Sequence, residues 1–302
     1  MPSDEGTFVA GPSGPAWINT NAWAIQWERY RAPGAAVWLA PPKPEGRVLR
    51  AEEYLLTLCD CEVSGARWVI DCDEASFPRV AEAVRFFDAH RAWRDYQAPL
   101  HIGLAPSARP EMREVMNLMS RFAIPYRLTP AALPGMSVLV LVGAPDTAAI
   151  EFARRGGRVI CLGWTAVVQK GVGDEGWFDS KTGGGLVSAW RGPLGNAQRF
   201  VKDLALKLGE DHMVVRAFNV HSSTVRYTVS DENQRGLVQL VNFTGRRLEE
   251  ETTIWVRQIA ARAVLHQWGE QPRPVEIVRT GGGTELSIPE RGLYAAVELF
   301  PA

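Results

Sequence analysis

The sequence has no surplus of positive charge. Its 33 Lys and Arg meet 34 Asp and Glu, for a formal net charge of -1. Without a basic run, nothing draws the phosphate backbone of nucleic acid or an anionic membrane, and neither is expected as a partner. No apolar stretch approaches the ~20 residues that a spanning helix needs. The opening "MPSDEGTFVAGPSGP" is polar and rich in Gly and Pro. It has no basic segment followed by an apolar one, so a cytoplasmic location is expected. Cysteine is scarce: Cys59, Cys61, Cys72 and Cys161 are the four. Cys59 and Cys61 fall in a stretch that reads as a helix, where residues two apart do not face each other. No CxxC or clustered His accompanies them, so no metal and no cofactor is expected. Small buried thiols fit better.

Three blocks follow one another. Residues 1–97 alternate strand-like and helix-like segments. "PAWINTNAW" and "RWVIDCD" read as strands, and "RAEEYLLTLCDCEVSGA" as a helix ending at Gly65. "FPRVAEAVRFFDAHRAW" reads as a second helix, with Val80, Val84 and Phe87 on one face. Residues 98–208 repeat that grammar. "LHIGLAP", "SVLVLVGA" and "RVICLGW" are apolar runs of the kind a parallel strand buried on both faces shows. Between them lie helical patterns, one started by Asp146 and stopped by Gly156 or Gly157. Residues 209–302 change period to seven short strands with turn residues between them. The expected fold class is α/β plus β: two βα units, a Rossmann-like doubly wound domain and a C-terminal β-sandwich.

The middle block invites an amidotransferase reading, because Cys161 and Gly163 stand near the turn after a buried strand. Such a Cys needs a neighbouring His base to form its thiolate. No His lies between Cys161 and the end of the block, and His101 on its first strand is the only earlier one. A buried structural Cys is the expectation. "KTGGG" lacks the order of a phosphate loop. The segment 171–185 reads as a loop, with a substrate lid as the sharper alternative. His212, His221 and His266 read as isolated.

Four of the 11 tryptophans fall between residues 17 and 38. In βα units, functional groups collect at the C-terminal ends of strands. Those ends would present Asn19 and Asn21 after one strand, and Asp71, Asp73 and Glu74 after the other. Trp23 and Trp27 would lie in the loop after Asn21. Planar hydrogen-bonding groups beside an aromatic face suit a sugar ring, so Asn19, Asn21, Trp23 and Trp27 are candidate substrate-binding residues. Asp71, Asp73 and Glu28 are the catalytic candidates. The alternative for the acids is plain helix capping.

The block order resembles the C-terminal part of β-galactosidase-like glycoside hydrolases. The resemblance runs through "RAEEYLLTLCDCEVSGARWVI", "FAIPYRLTP", "SVLVLVGAP", "GLVQLVNFTG" and "IPERGLYAAVELF". It implies the end of a TIM barrel, an amidotransferase-like domain lacking its nucleophile, and a small β-domain. The family's two catalytic carboxylates come from barrel strands four and seven. Strand four has no counterpart in this sequence, and the strand-seven equivalent ends in Asn19-Thr20-Asn21. The implied function is a glycoside-hydrolase-related protein, part of a carbohydrate-processing assembly, without a complete catalytic pair of its own. It would bind carbohydrate and form a homo-oligomer or meet a partner chain that completes the barrel. The alternative is a non-catalytic carbohydrate-binding or oligomerisation protein.

Overall fold

The computed structural model describes residues 20–40, 49–162, 176–191, 197–209, 212–220, 222–244 and 247–302. The chain forms two compact units. One takes the residues up to Gln97, the short segment Ser120–Ala123, and Val215–Ala302; the other takes Ala98–Met119 and Ile124–Val214.

In the first unit, helix α1 (Ala22–Arg31) is followed by strand β1 (Trp38–Leu39), α2 (Ala51–Val63), β2 (Arg67–Trp68), α3 (Phe77–Ala89) and a 3-10 turn, η1 (Arg91–Asp95). The strands β1 and β2 pair in parallel, with Trp38 opposite Arg67 and Leu39 opposite Trp68. Helix α2 starts where the Arg50 N–H donates to the Glu53 carboxylate (3.0 Å). That bond satisfies one of the donors a helix start leaves over, and it puts negative charge at the positive end of the helix dipole. The helix stops at Gly65, whose φ of +80° favours glycine. A Cβ there would also collide with the Arg29 guanidinium. From Glu53 to Val63 every residue of α2 is buried, as expected of a helix surrounded by protein.

What surrounds it comes partly from the far end of the chain. Two antiparallel sheets complete this unit. One has the order β10 (Ser223–Val229), β11 (Gly236–Asn242), β17 (Tyr294–Pro301), β13 (Ala260–His266) and β14 (Arg273–Val275). The other has the order β15 (Ile277–Thr280), β16 (Gly283–Ile288), β12 (Thr252–Val256) and β9 (Val215–Phe218). Leu56, Leu58, Val80 and Phe87 share one core with Leu237, Val241, Phe243 and Tyr294. Each such side chain, fully buried, contributes about 2 kcal/mol of transfer free energy. Blocks that the sequence separates therefore share a core. The two sheets hold nine strands where seven are expected: β9 is additional, and the run "VEIVRT", expected as one strand, is divided between β14 and β15.

The second unit holds a six-stranded sheet of order β4 (Arg127–Leu128), β3 (Ile102–Leu104), β5 (Val138–Val142), β6 (Arg158–Leu162), β8 (Gly185–Arg191) and β7 (Gly176–Thr182). All neighbours are parallel except β7 with β8. Its helices are α4 (Glu111–Arg121), α5 (Thr147–Arg154) and α6 (Ala197–Leu208). Asp146 caps α5 by accepting from the Ala149 N–H (2.8 Å), and Gly156 follows the helix at φ +101°. Both agree with the sequence pattern.

Two expectations fail here. Residues 22–31 form helix α1, so Trp23 and Trp27 stand on a helix and not in a loop; residues 15–19 lie outside the described residues. The segment 171–185, expected as a loop or lid, contains strand β7 from Gly176 onward; residues 171–175 lie outside the described residues. Its glycines have a packing reason. A Cβ on Gly183 would come within 2.6 Å of the Arg154 carbonyl oxygen, and one on Gly185 would strike the Ala153 and Gly157 carbonyls. The hairpin turn thus presses on the end of α5. Among the described residues no helix is long and apolar enough to cross a membrane.

Candidate functional site

Asn21 is buried and faces inward. Its backbone N–H and its side-chain amide both donate to Asp60 Oδ2, at 2.7 and 3.0 Å. The Asp60 carboxyl is fully buried in α2, and burial pushes its pKa up to about 6 against the pull of Asn21 and Arg226. Asn21 therefore ties the start of α1 to α2. Trp23 is buried and Trp27 half-buried, its ring 6.1 Å from that of Tyr30 on the same helix. Asn19 lies outside the described residues.

The candidate carboxylates have separate places. Glu28 is exposed on α1 and pairs with Arg31 one turn on (3.2 Å). Asp71 is exposed after β2. Asp73 accepts from the Ser76 N–H (2.8 Å) and hydroxyl (3.0 Å) at the start of α3. Those bonds hold its carboxyl below the ordinary range. A general acid at neutral pH needs the opposite shift; Asp73 instead holds the turn that leads into α3. Cys161 lies in the core of the second unit with Leu139, Phe152 and Val187. Burial pushes its thiol up to about 12, which leaves no thiolate for catalysis.

A groove of about 440 Å³ opens elsewhere in the first unit. One wall is the η1 segment, with His90, Trp93 and Tyr96. The other is the β10–β11 turn, with Asn233 and Arg235, beside Glu298 on β17. None of the six described residues among those expected from the sequence (Asn21, Trp23, Trp27, Glu28, Asp71 and Asp73) lines it. The walls are fixed to each other. Gln97 and Val229 exchange two backbone hydrogen bonds (2.9 and 2.7 Å). The Tyr96 hydroxyl (3.5 Å) and Arg235 Nη1 (3.3 Å) both donate to Glu298 Oε1. Behind η1, Arg94 grips Glu62 with two bonds of 2.5 and 2.8 Å, a fork geometry that fixes orientation.

His266 lies directly against this lining. Its ring centroid is 5.0 Å from that of His90 and 5.3 Å from that of Trp93, and its Nε2 is 3.9 Å from Glu298. The carboxylate favours a charged ring; burial first, then His90, oppose it and prevail, pushing the His266 pKa down to about 4. His266 is thus a neutral imidazole at pH 7. Both of its ring nitrogens are buried without a hydrogen-bond partner among the described residues. His90 is oriented by its Nδ1, which donates to the Phe86 carbonyl (2.8 Å), and its ring stacks on Trp93 at 4.1 Å. Aromatic faces beside Asn, Arg and carboxylate groups can hold a polar, hydroxyl-rich ligand. The expectation that His266 is isolated fails, because β13 lies far along the chain from His90 and no local pattern announces the meeting.

No protein-family model and no curated protein matches the sequence. Solved structures do match. The α-L-fucosidase isoenzyme 2 from Paenibacillus thiaminolyticus aligns with 98% of this chain and 64% of its own, at TM-score 0.70 and 11% identity. The β-galactosidase from Rahnella sp. R3 aligns with 88% of this chain and 57% of its own, at TM-score 0.56 and 10% identity. The rhamnosidase from Novosphingobium sp. PP1Y aligns with 83% of this chain and 30% of its own, at TM-score 0.50 and 13% identity. The fold is therefore glycoside-hydrolase-like. The chain spans less than two thirds of each of these neighbours.

Proposed function

We propose that the chain is a glycoside-hydrolase-related protein that handles carbohydrate within a larger assembly and carries no complete catalytic carboxylate pair of its own. In this reading residues 1–97 hold the end of a TIM barrel, residues 98–208 an amidotransferase-like domain without its nucleophile, and residues 209–302 a β-sandwich. The carrying observation is one of proportion: the likeness takes in 98% of this chain but 64% of the fucosidase. The two-residue parallel strands β1 and β2 support it. Around them Trp38, Val69, Ile70 and Phe77 are each 40–58% exposed. Apolar side chains beside a short parallel pair suit the approach of further βα units, from a second polypeptide or a second copy. Glu28 pairs with Arg31, and Asp73 accepts from Ser76 with its carboxyl held below the ordinary range, the opposite of the raised pKa a glycosidase's general acid carries.

The test has two arms. Light scattering of the purified chain should show self-association, and aryl-glycosides should not turn over. A clean monomer counts against the assembly, and turnover that Asp71→Ala or Glu28→Ala abolishes overturns the missing pair. The second reading, a non-catalytic carbohydrate-binding protein, is favoured by the groove at His90, Trp93 and Glu298. A glycan array separates the two: binding lost in Asn233→Ala and Arg235→Ala, with a monomeric chain, favours it.

A further inference from the structure

Strand β7 ends the sheet of the second unit. Among the described residues it pairs with β8 alone, in an antiparallel ladder from Gly176 opposite Arg191 to Thr182 opposite Gly185. The Leu186 N–H donates to the Gly157 carbonyl (3.3 Å), on the side away from β7. Leu186 and Lys181, which face each other across the ladder, therefore form a pair without mutual bonds. Bonding alternates along an antiparallel ladder, so Trp177, Asp179 and Lys181 all turn their backbone N–H and C=O groups to the outer edge. Asp179, Ser180 and Lys181 are exposed. No proline and no bulge interrupts the strand, the devices with which proteins commonly close such an edge. The side chains of Trp177, Asp179 and Lys181 share the face toward α6, where Lys207 Nζ donates to Asp179 (2.6 Å) and stands 5.6 Å from the centre of the Trp177 ring.

We propose that this edge pairs with the β7 edge of a second copy of the chain, antiparallel about a two-fold axis at Ser180. Charge selects the register. A two-fold antiparallel pair sets outward-turned residues opposite outward-turned residues. An axis at Asp179 would oppose two aspartates, and an axis at Lys181 two lysines. The axis at Ser180 sets Asp179 opposite Lys181 of the second copy, and by symmetry Lys181 opposite its Asp179. Opposite charges directly across a ladder attract, and like charges repel. A lysine alone blunts an edge; with Asp179 two residues away it becomes half of a self-complementary pattern. On the other face the two Ser180 side chains meet as a pair without mutual backbone bonds, close enough for their hydroxyls to bond. The two six-stranded sheets then run on as one. This surface belongs to the second unit, not to β1 and β2, and it does not depend on the carbohydrate reading.

Light scattering of the full chain over a concentration series tests it, with circular dichroism to follow folding. The unsubstituted chain should dimerise. Lys181→Glu and Asp179→Lys should each weaken the dimer by about tenfold or more, because symmetry turns two attractive pairs repulsive at once. Combining the two substitutions should restore most of the affinity. A second readout does not depend on charge. Under mild oxidation Ser180→Cys should give a covalent dimer, because its two copies meet at the axis. Thr182→Cys, which faces Phe178 of the second copy, and the unsubstituted chain should not. Self-association that Lys181→Glu leaves unchanged would put the contact elsewhere, such as at β1 and β2, and overturns this surface. A chain monomeric at every concentration, a double variant no stronger than the single ones, or Thr182→Cys linking as readily as Ser180→Cys overturns it as well.

Discussion

Two pairs of histidines, one in each unit, show what surroundings do to the same side chain. His90 and His266 meet among Phe86, Trp93 and Trp268, and His266 is driven neutral with its ring nitrogens unsatisfied. His101 and His212 meet around a hydroxyl and stay partly exposed. The first pair packs, and it costs stability only below about pH 6.5, where the unfolded ring takes up a proton that the folded one refuses. The second keeps solvent and polar partners. Ring-to-ring distances of 5.0 and 5.5 Å hardly differ. Burial separates the two.

The largest effect should come from removing the packing beneath the first pair. Phe87, with its ring 5.0 Å from Tyr294, joins α3 to β17. Phe87→Ala should cost about 3–5 kcal/mol in a denaturant titration. A loss under about 1 kcal/mol would mean that the first unit is not the dry environment described.

Next is Asp60→Asn. The buried carboxyl titrates at about 6 in the folded chain and near 3.9 unfolded. The folded state thus holds its proton more tightly, and the cost of ionisation is fully present above pH 6. The variant should gain about 1–2 kcal/mol at pH 7–8. That gain should fade as pH falls from 6 towards 4. A gain that grows on acidification would reverse the assignment.

A smaller change should follow from His266→Phe. The ring titrates at about 4 folded and near 6.5 unfolded, so the unfolded chain binds the extra proton between these values. Stability from the neutral ring is present above pH 6.5 and is lost as pH falls towards 4. The partly screened site should yield a difference on the order of 1 kcal/mol between pH 7 and pH 4.5, absent in the variant. Identical slopes in the two proteins would erase the contrast between the pairs.

The smallest effect belongs to the second pair. His101→Ala and His212→Ala should each move stability by less than about 1 kcal/mol. A loss of several kcal/mol in thermal unfolding would make these residues structural and would blur the comparison.

Much of the second unit was legible in its sequence, because strands buried on both faces leave continuous apolar runs. Val138–Val142 and Arg158–Leu162 are such runs, and the cap at Asp146 and the stop at Gly156 are local signals. Helix α1 occupies residues whose sequence suggests a strand end and a loop. A cue was present, since Trp23, Trp27 and Tyr30 recur at helical spacing. The hairpin β7–β8 was hidden by its glycines, which suggest a loop until the close approach to α5 is visible. The groove had no signature: His90, Arg235 and Glu298 come from three distant segments. The polar residues that did look functional, Asn21 and Asp73, have internal partners.

Composition and short-range pattern were enough to set the α/β character, the near balance of charge, and the cap at Asp146 and the stops at Gly65 and Gly156, since each depends on composition or on neighbours within a few residues. Tertiary structure decided which histidines meet, that Asp60 is driven towards its neutral form, and that the first and last blocks share a core. These properties depend on burial and on approach between residues far apart in the chain, and both arise only when separate elements pack together.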